Sequence, residues 1–170
     1  MPKLIKQCNN QFSIIEDTWL TLADDSPLPA HGDIILSLTR WQAETSTVCQ
    51  YTGGKIGLWL EPDAKIEELA QDLSWFSLFA IHFPSFTDGR GFSSARLLRE
   101  RYHFAGELRA VGDVFRDQLF FMARCGFDAF SVRADKNIQD ALEGLQDFSE
   151  AYQVSVERPD PLFRRRVSSI

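Results

Sequence analysis

Cysteine is scarce in this chain. The three that occur, Cys8, Cys49 and Cys125, make no CxxC pair and no even set, which excludes a disulfide framework and a four-cysteine metal or iron–sulfur centre. Histidine is equally sparse: His31, His82 and His103 lie too far apart for spacing to assemble a metal set or a Ser/His/Asp arrangement. No window approaches the ~20 apolar residues of a membrane-spanning helix, and the opening MPKLIKQCNNQF has no signal-peptide run. Basic charge is short as well. With 18 Lys and Arg against 24 Asp and Glu, the net charge is −6, which argues against general attachment to nucleic acid or anionic lipid. These absences predict a soluble protein of a reducing cytoplasm, with no membrane and no nucleic-acid partner.

What is present fits one folded unit. A chain of 170 residues with 44% hydrophobic and 25% charged residues is long enough for one buried core and too short for two ordinary domains. Residues 1–30 read as an N-terminal β arm, with short β-like runs FSIIE and TWLTL before the turn-rich DDSPLPAHGD. From Asp33 onward apolar runs and helical stretches alternate. The proposed strands are DIILSLT, KIGLWLE, SLFAIHFP, ELRAVGD and AFSVR; the proposed helices are RWQAETSTVCQY, KIEELAQDL, SSARLLRERYHF, VFRDQLFFMARC and NIQDALEGLQDFSEAY. Strands separated by helices predict parallel pairing, because each crossover returns the chain to the same end of the sheet. The expected fold is therefore a single α/β domain over 31–157 with about five parallel strands, either an open three-layer sheet or a partial barrel. Residues 158–170, with RRR at 164–166, read as a flexible Arg-rich tail. In the last helix Ile138, Ala141, Leu142, Leu145 and Phe148 form one apolar stripe behind an Asn137 cap. Gly106 and Gly126 stand where helix C-termini favour a left-handed residue.

Chemistry in such a fold gathers in the loops that leave the carboxyl ends of strands. Two of these loops stand out. In FPSFTDGRGFSSAR, the segment Asp88, Gly89, Arg90, Gly91 reads as a tight turn whose glycines permit positive φ and close approach of a ligand, with Ser93 or Ser94 capping the following helix. Arg96 and Arg99 lie one turn apart on that helix, and with Arg90 they present guanidinium groups suited to an oxyanion. In ELRAVGDVFRDQL, alternation puts Leu108, Ala110 and Gly112 on one face and Arg109, Val111 and Asp113 on the other. Arg109 inside a covered strand requires an acidic partner or a ligand. Asp113 stands at the expected N-cap of the next helix, and Arg116 and Asp117 follow in its first turn. The expected anion-binding set is Asp88, Gly89, Arg90, Gly91, Arg96, Arg109 and Arg116, with Asp113 and Asp117 as acid–base candidates. Between residues 88 and 124 seven Arg stand against five acidic residues, a mildly basic island in an acidic chain that suits a small anion. Cys125 reads as a buried structural thiol and His82 as a hydrogen-bonded core histidine. Phe115, Leu119, Phe120, Phe121 and Met122 read as core and interface filling, and their spread around the helix suggests burial on more than one side, as in a homodimer.

The stretch from Phe83 to Phe130 resembles the signature of the domain-of-unknown-function 934 family, bacterial proteins labelled as oxidoreductases involved in sulfite reduction. Phe83, Pro84, Phe86, Thr87, Asp88, Gly89, Arg90 and Gly91 match its F-P-x-F-T-D-G-R-G block, with Ser85 where Lys is common; its RLLRER, GELRAVGD and RDQL blocks are matched from Arg96, Gly106 and Arg116. The resemblance implies a place in assimilatory sulfite reduction and brings no assigned catalytic residue. The chain itself shows no flavin or nicotinamide fingerprint, so the cofactor is unknown. Three readings follow. The first is an accessory or oxidoreductase component of sulfite reduction that binds a small oxyanion, or a partner such as sulfite reductase or another sulfur-assimilation enzyme, at the TDGRG and AVGDVFRDQ loops. The second is an independent enzyme using Asp113 or Asp117 with an Arg-bound anionic substrate. The third is a structural subunit without a catalytic site.

Overall fold

The computed structural model describes residues 2–145, 154–156, 160–161 and 164. Eight strands form one sheet in the order β2-β1-β8-β7-β6-β5-β4-β3, curled into a half-barrel. They are β1 (Lys3–Cys8), β2 (Gln11–Glu16), β3 (Leu20–Thr21), β4 (Ile34–Ser37), β5 (Ile56–Leu60), β6 (Leu78–Phe83), β7 (Glu107–Gly112) and β8 (Ala129–Phe130). Four α-helices accompany them: α1 (Leu38–Val48), α2 (Arg90–Arg96), α3 (Arg116–Arg124) and α4 (Ile138–Gly144). The sheet is mixed. β1 runs antiparallel to β2 and β8, while β3 to β8 pair parallel in turn. The expected parallel set of about five strands is thus corrected to a mixed sheet of eight, because the first 21 residues contribute three strands of their own. In β1 the polar Lys3, Lys6 and Gln7 break up the apolar run that marks the other strands.

The N-terminal strands show how tightly the sheet curls. β2 and β3 occupy opposite edges, yet only Asp17, Thr18 and Trp19 separate them. Such a link spans at most about 15 Å, whereas eight flat strands would hold their edges about 34 Å apart. Curling brings the edges within reach. The link crosses the sheet face that carries no helix among the described residues. There Ile35, Leu78, Ala80 and Val111 pack with Trp19 and Trp59, and a Cβ on Gly57 would stand 3.2 Å from the Trp19 ring. The absent side chain at Gly57 makes room for the strap. The opposite face, with Leu36, Leu58, Phe79, Ile81, Leu108 and Phe130, is covered by Trp41, Leu98, Leu119, Met122 and Ala141 from the helical layer.

Several local expectations change. KIEELAQDL forms two 3₁₀ turns, Ile66–Leu69 and Leu73–Trp75, rather than one α-helix; Ile66 and Leu69, three apart, are both buried by the tighter repeat. α2 begins at Arg90 with Gly89 at its N-cap, so Ser93 and Ser94 lie inside it and cap nothing. It continues into a π-turn over Leu97–Arg101, and the left-handed residue that ends it is His103 (φ 51°) instead of Gly106. Gly106 is required for closeness: a Cβ there would lie 2.4 Å from the Phe104 ring. Gly126 has the expected positive φ, 105°. AFSVR pairs only at Ala129–Phe130. Asn137 caps α4 by accepting from the Gln139 and Asp140 amides, but Phe148 and the rest of the proposed last helix, like most of the Arg-rich tail, lie outside the described residues. No helix among the described residues is long and apolar enough to cross a membrane.

Candidate functional site

The expected anion-binding residues do not meet in one pocket. Asp88 and Arg90 close on each other in a forked pair of 3.0 and 2.6 Å, and these hydrogen bonds hold the Asp88 carboxyl below its usual range. Neither Gly89 nor Gly91 takes a positive φ; Gly91 is needed because a Cβ would stand 2.7 Å from the Phe83 ring. Arg96 pairs along its own helix with Glu100 at 2.8 Å. Arg109 lies on the strapped face, where it has the acidic partners its burial demands: Glu107 at 2.7 Å and Asp17 at 2.9 Å. Lys6 completes this row through Glu107 at 2.7 Å, so the foot of the strap is a four-member ionic network. Arg116 bonds Asp140 of α4.

Asp113 is not the cap of α3, whose N-cap is Phe115. The carboxylate instead accepts from the Phe86 amide at 2.9 Å and from Arg133 at 2.7 Å. It thereby ties three loops together, those after β6, β7 and β8. Gln118 reinforces the tie by donating to the Phe86 carbonyl at 3.2 Å. His82 is half-buried rather than in the core, with a 2.7 Å contact to Glu61. Cys125 is buried, and burial pushes its thiol up despite Arg96 and Arg124 nearby.

The three loops enclose a crevice of about 440 Å3 at the carboxyl ends of β6, β7 and β8. Phe86 comes from the TDGRG loop; Phe115, Arg116 and Asp117 from the AVGDVFRDQ segment; Lys136 and Asn137 from the approach to α4 and Asp140 from its first turn. Phe86, nearly half exposed at 47%, packs its ring 5.7 Å from that of Phe115. Arg133 stands 4.6 Å over the Phe115 ring and Lys136 5.5 Å from it, both within cation–π range. Arg133 is held by Asp135 as well as Asp113, which raises its own pKa. The guanidinium in turn pulls Asp135 down to about 2. Of the residues expected from the sequence, Arg116 and Asp117 line this crevice, Asp113 braces it from behind, and Arg90, Arg96 and Arg109 lie elsewhere. Phe86, Phe115, Arg133 and Lys136 are the additions. Their signal in the sequence is faint, since RADK is an ordinary charged loop until the fold brings it beside the β7 loop. Among the described residues no three His, Cys, Asp or Glu gather as a metal site.

Fold and crevice together define a curled mixed α/β protein with one crevice built jointly by three successive strand-to-helix loops, two rings and a mixture of charges. The chain belongs to the family described as "Bacterial protein of unknown function (DUF934)", whose pattern matches residues 57–163, more than half of its length. That span runs from β5 through α4 and contains every crevice residue. No curated protein matches the chain.

Proposed function

We propose that the protein is a component of assimilatory sulfite reduction that binds a small oxyanion in the crevice between the TDGRG and AVGDVFRDQ loops, and that it works beside sulfite reductase or another sulfur-assimilation enzyme. The observation that carries the binding is the meeting of both loops with Lys136 in one depression. Arg116 and Lys136 supply donors and positive charge. Phe86 and Phe115 form an apolar wall that limits water, which strengthens each polar contact beside it. The first turn of α3 also opens here, where helical amides favour an anion. The tie to sulfite is the resemblance of residues 83–130 to proteins labelled for that pathway. The exposed Phe86 at the crevice lip is the proposed contact with the partner enzyme.

Calorimetric titration with sulfite tests this. The wild-type chain is expected to bind at millimolar or lower concentration, and Arg116→Gln to weaken binding about tenfold, the loss of one charge-assisted contact. Equal binding by both proteins contradicts the assignment. A second reading, an enzyme in which Asp117 exchanges a proton with the bound anion, is favoured by Asp117 lining the same crevice. Asp113, with both oxygens engaged, contributes to that reading by position only.

A further inference from the structure

Outside the crevice, one cluster of ionisable side chains is more tightly organised than strand packing requires. It lies at the carboxyl ends of β5 and β6. Glu61, the residue after β5, places Oε2 2.7 Å from Nδ1 of His82. Its other oxygen accepts from the Trp59 indole N–H at 2.8 Å. Both carboxylate oxygens are therefore occupied, and the group cannot turn away. The Trp59 ring lies 5.2 Å from the imidazole. Burial pushes the Glu61 carboxyl up, but the hydrogen bonds from His82 and Trp59 outweigh it and hold the pKa below its usual value. An ionised carboxylate at Nδ1 selects the tautomer with the proton on Nδ1, which leaves the lone pair on Nε2.

The far edge of the imidazole meets Gly112. This residue has φ +93°, and a Cβ there would lie 2.6 Å from Cδ2 and 2.9 Å from Nε2 of His82. The same glycine lines a depression of about 450 Å3 with Lys3, Ser131, Arg133 and Lys136, which it separates from His82, and no acidic residue lines it. Glu61 is the carboxylate that contacts the ring; Asp113, one residue beyond Gly112, is turned to the Phe86 amide and Arg133. Nε2 has no hydrogen-bond partner among the described residues, and a quarter of the side chain, 25%, is exposed.

We propose that His82 is an acid–base residue, positioned by Glu61 and Trp59, that exchanges a proton through Nε2 with a small oxyanion or carboxylate held in this neighbouring basic depression. The proton leaves an O–H of the ligand for Nε2, and the bonding pair stays on the ligand oxygen. The imidazolium so formed is neutralised by Glu61, and the return step reverses the transfer. No other reactant is consumed. The arrangement is that of a base oriented by a third group, and strand ends at the carboxyl side of a curled sheet are where such groups collect.

Ring ¹⁵N NMR of the full chain tests the proposal, with inorganic phosphate as probe because its dihydrogen form carries an O–H near neutral pH, and with His82→Gln to identify the resonances. In the free protein the Nδ1-protonated tautomer is expected. Bound phosphate should move the His82 Nε2 resonance toward its protonated position, and phosphate should bind about tenfold more weakly to His82→Gln. The affinity should also fall in Lys3→Ala. Trp59→Phe, which keeps the packing ring, should let the tautomers mix. An Nε2-protonated ring in the free protein, absence of phosphate binding, or binding that leaves the His82 resonances still overturns the proposal, because a salt bridge serving only to join β5 to β6 gives that result. Phosphate that moves Arg116 and Phe115 signals but not His82 overturns it while leaving the crevice reading intact; the opposite pattern upholds it and counts against the crevice.

Discussion

Arg109 and Arg96 carry the same charge and have very different consequences. Arg109 is 3% exposed and bonded to a Glu107 that is 7% exposed, so truncating the arginine leaves one oxygen of a buried carboxylate unpaired, with Lys6 holding only the other. Arg109→Ala is expected to cost about 3–5 kcal/mol in urea unfolding. Arg96→Ala, which removes an exposed pair one helical turn long, should cost no more than about 0.5 kcal/mol. The sequence announced the need at position 109, since an arginine within an apolar strand must be compensated. It did not announce the partners, because Asp17 is 92 residues away and comes close only when the strap crosses the sheet. Asp135 offers a test of the brace behind the crevice. Its folded pKa of about 2 lies below the ordinary carboxylate value, so whatever stability it contributes is complete above about pH 4 and disappears as pH falls toward 2. Carboxyl-detected NMR titration should return Asp135 to the ordinary range in Arg133→Gln, and an unmoved Asp135 would show that another group holds it.

At the scale of elements, the strap is what holds the two edges of the sheet together. Trp19→Ala removes the ring that packs on Gly57 and the apolar row beside it. For a half-buried Trp the expected loss is about 2–3 kcal/mol, read by thermal or urea unfolding, with native-like helix content by circular dichroism retained. The strands from β4 to β7 were legible because their residues are apolar on both faces. β1 was not, since an edge-side strand with Lys3 and Lys6 lacks that pattern, and the 3₁₀ turns after β5 were hidden because three-residue and four-residue apolar spacing overlap over so short a span. The candidate site divides in the same way. Arg116 and Asp117 were found from their position at the start of a helix after a strand. Phe86 on the one hand and Arg133 and Lys136 on the other escaped because they belong to two different loops, and their meeting depends on Asp113 accepting bonds from both at once. Asp113→Ala should therefore loosen the crevice without removing any of its lining residues, expected as faster amide exchange at Phe86 and across 133–137.

For the whole molecule, a chain of net charge −6 contains a crevice with Arg116 and Lys136 on its walls beside Asp117 and Asp140. Most of the arginines in the basic stretch from 88 to 124 are spent on neighbours: Arg90 on Asp88, Arg96 on Glu100, Arg99 on Asp128, Arg109 on Glu107 and Asp17, and Arg116, within the crevice, on Asp140. Net charge along a segment therefore overstated the site, and the three-loop crevice replaces the seven-residue cluster as the place where an anion is expected. A crystal structure of the chain grown with sulfite tests that claim most directly. One ordered anion is expected between Phe86, Arg116 and Lys136; an anion bound at Arg90 or Arg96, with that crevice empty, would contradict it.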